Sequence, residues 1–264
     1  EGWGYADVLP YFKRMENYSG GNDEYRGGEG PLNVYRPSPK NPIYQAFLDA
    51  GQEAGYPLTH DICGFCQEGF GVLDMSIHNG QRNSTATAYL DPVKSRENLE
   101  IITNAQVQKI LLDDITATGV QYETANGEVI KATAHREVVL SAGAVGSPQL
   151  LMLSGIGPAS HLKKLDIPIV IDSPGVGQNL MDHPDFVLKY RCLKPVSIWP
   201  QTRLWGRARA GIRWLLRNDG ICASNQFEVV ACLRSTTGVE YPDIQLTISP
   251  VAVDDETWKP LSEH

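Results

Sequence analysis

Val8, Tyr11, Phe12 and Met15 recur at helical spacing among polar neighbours from Tyr5 to Asn17, and the pattern stops before the Gly20, Gly21 turn. That spacing predicts an amphipathic helix resting on a core. A second helix is bracketed by its own punctuation: Asn41 as N-cap, Pro42 in the first turn, Gly55 and Pro57 beyond the end. Ile43, Phe47, Ala50 and Ala54 form its apolar face. From Leu99 the period changes to extended. Leu99 to Thr103, Val107 to Asp113, Gly119 to Glu123 and Val129 to Ala134 predict a meander of short antiparallel strands, with Asn126-Gly127 as one of its turns. Glu137 to Leu140 is continuous and apolar, as suits a strand buried on both faces. Further strands are predicted at Ile167 to Ile171, Phe186 to Cys192, Phe227 to Leu233 and Ile244 to Ile248, and a tight glycine loop at Ser173 to Asn179. Leu204 to Arg217 predicts a third long helix with Leu204, Ala208, Ile212 and Leu215 or Leu216 on one face, arginines on the others, and an end near Asn218 and Gly220.

Between two of these elements lies Ser141 to Pro158, SAGAVGSPQLLMLSGIGP. Ser147 is a good N-cap and Pro148 a good first helical residue, so Gln149 to Leu153 are expected to form about two turns closed at Gly155. Ser141, Ala142, Gly143, Ala144 and Gly146 carry little side chain, so a ligand can lie against the backbone near a helix N-terminus. The stretch is either one side of a site for a phosphate-bearing cofactor or a plain, closely packed strand-to-helix turn.

The 264 residues suffice for one large domain or two ordinary ones. The formal charge of -8, without long like-charge runs, argues against nucleic acid or an anionic membrane as the main partner. Five cysteines without regular spacing favour a reducing compartment over a disulfide framework. No apolar run approaches the roughly 20 residues of a membrane span, so no integral membrane segment is expected. The expected location is cytoplasmic, either free or peripheral to a membrane. Glu1 is not Met and a helical pattern follows at once, while Ser262 to His264 end the sequence after a Trp258-Lys259-Pro260 turn. Both ends therefore read as interior to something longer.

The chemistry-bearing motifs are sparse. Two GxGxx strings, at Gly155 and Gly175, are weak dinucleotide fingerprints: the first follows a helix, and the second has Leu180 where a small residue belongs. His60, Cys63 and Cys66 supply three ligands where structural zinc needs four, so a loop with ordinary thiols is expected and no metal site. There is no GxSxG elbow and no HExxH helix. His60, His78, His135 and His161 lie in polar turns and are expected at the surface. His183, in NLMDHP after the glycine loop, is open to a turn role or a ligand contact.

Taken together, several strings resemble the glucose-methanol-choline (GMC) flavoprotein oxidoreductases. Gly143 to Gly157 (GAVGSPQLLMLSGIG) is similar to the second signature of that family. In the family's order come Gly2 to Tyr5 (GWGY), Leu9 to Phe12 (LPYF), Gln67 to Gly71 (QEGFG), Arg82 to Leu90 (RNSTATAYL) and Gly175 to Pro184 (GVGQNLMDHP). The resemblance spans residues 2 to about 250 and lies nearest the choline dehydrogenase-like branch of alcohol dehydrogenases, whose substrate-domain segment Gly220 to Glu228 (GICASNQFE) resembles. Val229, Val230 and Ala231 depart from the glycine-rich pattern of choline-active members, so a primary alcohol is implied, choline-like or other.

The resemblance implies a mixed α/β (α+β) fold: part of a Rossmann-like FAD-binding domain interleaved with an antiparallel-sheet substrate domain. The expected division is 1–95 as helices and loops bridging the two, 96–184 as part of the FAD domain with its meander, and 185–264 as the start of the substrate domain. In the family, hydride passes from the alcohol carbon to flavin N5 while a histidine takes the hydroxyl proton, giving an aldehyde. The pyrophosphate fingerprint is expected before Glu1 and the catalytic histidine beyond His264, which makes this chain an inactive middle portion on its own; no catalytic residue is nominated within it. By the resemblance, the Val107 backbone meets the adenine, Ser141, Ala142 and Gly143 approach the cofactor, and Asn225 with Glu228 line the substrate side. Val107 as a strand core residue and Glu228 as a solvated edge charge stay open, as does the electron acceptor: oxygen, quinone or another carrier. The alternative to an oxidoreductase is a truncated, non-catalytic binding or assembly module that has lost the cofactor.

Overall fold

A computed structural model describes residues 2–253 of the chain, and the Trp258-Lys259-Pro260 turn and His264 lie outside them. Two compact units emerge: one takes in the chain up to Leu99 and again from Val187, and the other is Glu100–Phe186.

The first unit opens with helix α1 (Tyr5–Met15), which runs directly into β1 (Glu16–Tyr18); β1 pairs in parallel with β2 (Leu32–Val34). The predicted core contact of α1 is not made. Tyr5, Tyr11 and Phe12 are exposed, and no α1 residue is fully buried. The helix is held through its backbone: a methyl at Gly27 would lie 1.8 Å from the Lys13 carbonyl oxygen, and one at Gly30 2.2 Å from the Met15 carbonyl. Helix α2 (Pro42–Glu53) forms as its punctuation predicts, with Asn41 Oδ1 accepting from the Ile43 N–H at 3.0 Å and Gly55 beyond the end at φ +86°. Its buried positions are Tyr44 and Gly51, with Phe47 and Leu48 against the core, so the inward face is rotated from the one predicted.

The unit's main sheet joins β3 (Gly69–Val72) to two strands from the far end of the chain, as described below. The small β4 (Ile77–His78) and β5 (Gln81–Arg82) form a hairpin, and a wide helical turn follows at Ala86–Leu90.

The second unit is built on the predicted meander: β6 (Ala105–Asp113), β7 (Thr116–Thr124) and β8 (Val129–Thr133) pair antiparallel in sequence order, with Gly127 at φ +80° in the turn. Helix α3 (Gly143–Leu153) follows and starts at Gly143, five residues before Pro148, the expected first helical residue behind a Ser147 cap. Then come β9 (Ile156–Gly157), α4 (Ala159–Lys164) and β10 (Ile171–Asp172), with β9 and β10 parallel. Leu99 to Thr103 and Glu137 to Leu140 are not strands, and of Ile167 to Ile171 only Ile171 pairs. Each has strand composition, but among the described residues no neighbour offers it a ladder, and Val139 is exposed.

Phe186 to Cys192, across the return to the first unit, is irregular and not the predicted strand. The short α5 (Trp199–Thr202) and long α6 (Leu204–Arg217) follow, α6 ending where predicted at Asn218, which takes a left-handed conformation at φ 53°. The α6 face predicted to point inward is exposed instead. Gly206 and Ala210 take the inner side, and Trp214 Nε1 donates to the Gly80 carbonyl at 2.7 Å. Strand β11 (Val229–Leu233) lies between β12 (Ile244–Thr247) and β3, antiparallel to both, and is buried along its whole length. Its alternating side chains serve two small cores: Val230 and Cys232 meet Ile62 and Leu73, while Ala231 and Leu233 meet Phe70, Phe47 and Leu48. Gly51 lets α2 approach, since a methyl there would lie 2.5 Å from the Phe70 ring.

Arg26, 2% exposed, ties the loops of this unit together. Its guanidinium donates to Glu16 (2.8 Å), Asp61 (2.9 Å) and Asp74 (2.9 Å) and stacks over the Tyr18 ring at 3.9 Å. Arg36 bonds the same Asp61 and Asp74. Removing one partner of such a buried network leaves carboxylates uncompensated, at a cost of about 3–5 kcal/mol. Arg26→Ala is expected to lower the unfolding free energy by that order in urea titration; a loss below about 1 kcal/mol, the level of a surface pair, would show that the network is not a support.

Candidate functional site

Residues 141–143 sit at the start of α3, an eleven-residue helix about 16 Å long. Ser141 to Val145 are all exposed, and Gly143 has φ +83° with no atom within 4 Å of where a Cβ would stand. Ser147 does not cap in the expected way. Its Oγ accepts from the Ala142 N–H at 3.0 Å, folding the small-residue turn onto the helix. No acidic side chain occupies the first turn, so the positive end of the helix faces an open strip of backbone. This geometry fits a phosphate-bearing group lying on the turn.

Val107 lies on β6 opposite Tyr122, at a register shift between Val107 and Lys109. Three residues on, the Ile110 N–H donates to Ser154 Oγ at 2.8 Å, and Ser154, just past α3, donates in turn to the Leu150 carbonyl at 2.5 Å. Ser154 therefore locks α3 to β6, placing Val107 and residues 141–143 on elements of one unit. A small cavity of about 420 Å³ at the end of the β6–β7 hairpin is lined by Ala105, Gln106 and Glu123 among others, immediately beside Val107.

A larger cavity, about 1450 Å³, lies in the first unit, and Glu228 is part of its lining with Tyr44, Ser224 and Gln226. The Glu228 carboxylate accepts from Ser224 Oγ at 2.7 Å, and the same hydroxyl accepts from the Gln226 N–H. Tyr44 is almost wholly buried and donates its OH to the Gln226 carbonyl at 2.9 Å, clamping this loop onto α2. Burial, then the Glu228 charge, pushes the Tyr44 phenol well above its usual range. Asn225 is not in the lining; its Oδ1 accepts from the Phe227 N–H at 2.9 Å. The lining also carries Lys40, Arg209, Arg213 and Arg217, of which Arg213 is held by Asp219 at 2.6 Å. Val229, Val230 and Ala231 are core residues of β11, so the departure from the glycine-rich pattern falls inside the sheet.

Elsewhere, Asp61, Cys63 and Asp74 bring potential ligand atoms within 4.8 Å of one another. Both carboxylates are already neutralised by Arg26 and Arg36, which leaves no uncompensated anionic ligand pair beside the exposed Cys63. The cluster is an ion-pair support. His183 is exposed, with its N–H bonded to Asp182 Oδ1. His78, the one cavity-lining histidine among the described residues, is exposed in the β4–β5 hairpin. Tyr44 and Ser224 were not legible as site residues. The spacing of Ser224 and Glu228 was the available hint for one; Tyr44 carried no local signal.

The profile of the GMC oxidoreductase family matches residues 1–185, and the chain belongs to that family. It is 48% identical over 252 residues to the oxygen-dependent choline dehydrogenase of Brucella suis biovar 1 (strain 1330), an alignment covering 96% of this chain and 46% of that protein. Among solved structures it is similar to pyridoxine 4-oxidase from Mesorbium loti (TM-score 0.79, 26% identity, 99% of this chain and 47% of that one). It is also similar to an FAD-dependent oxidoreductase from Chaetomium thermophilum (TM-score 0.77, 28% identity, 88% and 43%). The chain spans about half the length of the curated relatives it matches. Among the described residues, no helix is long and apolar enough to cross a membrane.

Proposed function

We propose that the chain forms part of an FAD-dependent oxidoreductase that converts the CH–OH group of a primary alcohol, choline-like or other, to an aldehyde. The observation that carries this reading is the open small-residue turn at Ser141, Ala142 and Gly143, set on a helix N-terminus in a member of the GMC family. FAD supplies the hydride acceptor for the oxidation. Ser141, Ala142 and Gly143 offer backbone to it, with bulk excluded by composition, and Val107 offers strand backbone in the same unit.

On the substrate side, Glu228 is held at the cavity wall by Ser224 while the Tyr44 clamp fixes the loop. A carboxylate so placed, in a lining that otherwise carries several cations, orients an alcohol with a cationic group toward the Glu228 side. The name of the Brucella suis relative supports a choline-like substrate. Asn225 acts on the same side by shaping the turn that presents Glu228. We assign the proton-accepting role to no residue of this chain.

Two variants of the full-length protein test this reading. Ala142→Trp is expected to abolish bound flavin absorption by blocking backbone approach; undiminished flavin content would remove the turn from the cofactor site. Glu228→Gln is expected to raise KM for choline about tenfold, the scale of one charge-assisted contact, with a smaller change for a neutral alcohol. Equal changes for both alcohols would take Glu228 off the substrate side.

A further inference from the structure

Seven non-glycine residues take a positive φ among the described residues, and six of them are Asn or Asp. Those two types tolerate that backbone because a short polar side chain can bond locally. The seventh is Gln226, at φ 65°. A glutamine lacks that local compensation, so its conformation has to be imposed by contacts.

Three contacts impose it. The Gln226 N–H donates to Ser224 Oγ at 3.1 Å, the Gln226 carbonyl accepts from the Tyr44 O–H at 2.9 Å, and Gln226 Nε2 donates to the Ile221 carbonyl at 2.9 Å. The first contact also orients the serine. With one Ser224 lone pair taken by the Gln226 N–H, the single hydroxyl proton is left to donate, and it goes to Glu228 Oε1 at 2.7 Å. Tyr44 holds the turn from α2, where it is 2% exposed, and burial keeps its phenol protonated and therefore a donor. The backbone of Glu228 is fixed separately, its carbonyl accepting from the Leu73 N–H at 3.0 Å.

We infer that Gln226, locked by Tyr44, is a positioning residue that sets specificity: its strained turn aims the Glu228 carboxylate, and preference for a cationic over a neutral alcohol depends on that turn. The inference rests on the assignment of Glu228 to the substrate side. It adds that the backbone conformation two residues before Glu228 governs the preference, and not the carboxylate alone. When the turn relaxes to negative φ, the Gln226 N–H leaves Ser224, the hydroxyl proton loses its direction, and the Glu228 side chain is free to change rotamer. The effect falls on KM and not on kcat, because neither Gln226 nor Tyr44 moves a proton or hydride.

The test compares Gln226→Ala, Gln226→Gly and Tyr44→Phe in the full-length protein, each with choline and with the neutral alcohol in which carbon replaces the quaternary nitrogen. Alanine and glycine both lose the tether to Ile221, but only glycine adopts the positive φ freely. Gln226→Ala and Tyr44→Phe are expected to raise KM for choline about fivefold, the contribution of one hydrogen bond, with a smaller change for the neutral alcohol. Gln226→Gly is expected to stay within about twofold of the parent. Beside Glu228→Gln, Tyr44→Phe is expected to add nothing to KM for choline, because the charge it positions is already gone. A Gln226→Gly as impaired as Gln226→Ala, equal effects on both alcohols, or a Tyr44→Phe effect undiminished beside Glu228→Gln would overturn the inference while leaving Glu228 on the substrate side. A Glu228→Gln that does not distinguish the two alcohols would overturn that assignment and this inference with it. Should Tyr44→Phe unfold, the alanine and glycine pair at the half-buried Gln226 decides alone.

Discussion

The first unit depends on one buried cation. Arg26 has almost no contact with water, so its charge survives only because Glu16, Asp61 and Asp74 surround it and Tyr18 covers its face. These residues come from β1, from the loop before β3 and from the loop after it, so one guanidinium fixes three segments far apart in sequence. Arg36 adds a second tie to the same two aspartates. The consequence reaches the cavity: β3 is bracketed by Asp61 and Asp74, β11 is built on β3, and Glu228 immediately precedes β11, its carbonyl accepting from the Leu73 N–H at 3.0 Å.

Val229, Val230 and Ala231, where the chain departs from the pattern expected from the resemblance, are buried in β11 and do not line the cavity. Val230 and Ala231 serve the two cores on either side of β11, where larger residues alter packing. Glu228, one residue before Val229, faces the cavity and is positioned by Ser224 and by the loop that Tyr44 clamps. Core composition and substrate-side chemistry are thus separated by a single step along the chain.

Local punctuation was legible in the sequence. Asn41 with Pro42, Asn218 with Gly220, and Asn126 with Gly127 each act within a few residues, and α2, α6 and the β7–β8 turn form where those signals stand. Long-range pairing was not legible. Leu99 to Thr103, Glu137 to Leu140 and Phe186 to Cys192 have strand composition, yet a strand needs a partner that composition does not name. Helix orientation failed for a related reason: α1 and α6 meet their neighbours through Gly27, Gly30 and Gly206, where close backbone approach outweighs the apolar stripe. The Arg26 network joins residues 16, 26, 61 and 74, and nothing local announces it. At the candidate site, the small-residue turn and Glu228 stood out in the family strings, whereas the bonds from Ser147, Ser224 and Tyr44 that hold them arise only in the folded chain.

The central claim is that the turn at 141–143 and the β6 backbone at Val107 form one side of an FAD site. The most direct measurement is a crystal structure of the full-length protein with FAD bound. The account predicts cofactor atoms within van der Waals reach, about 4 Å, of Ala142 and of the Val107 backbone. An FAD that is ordered in the crystal but touches neither would contradict it.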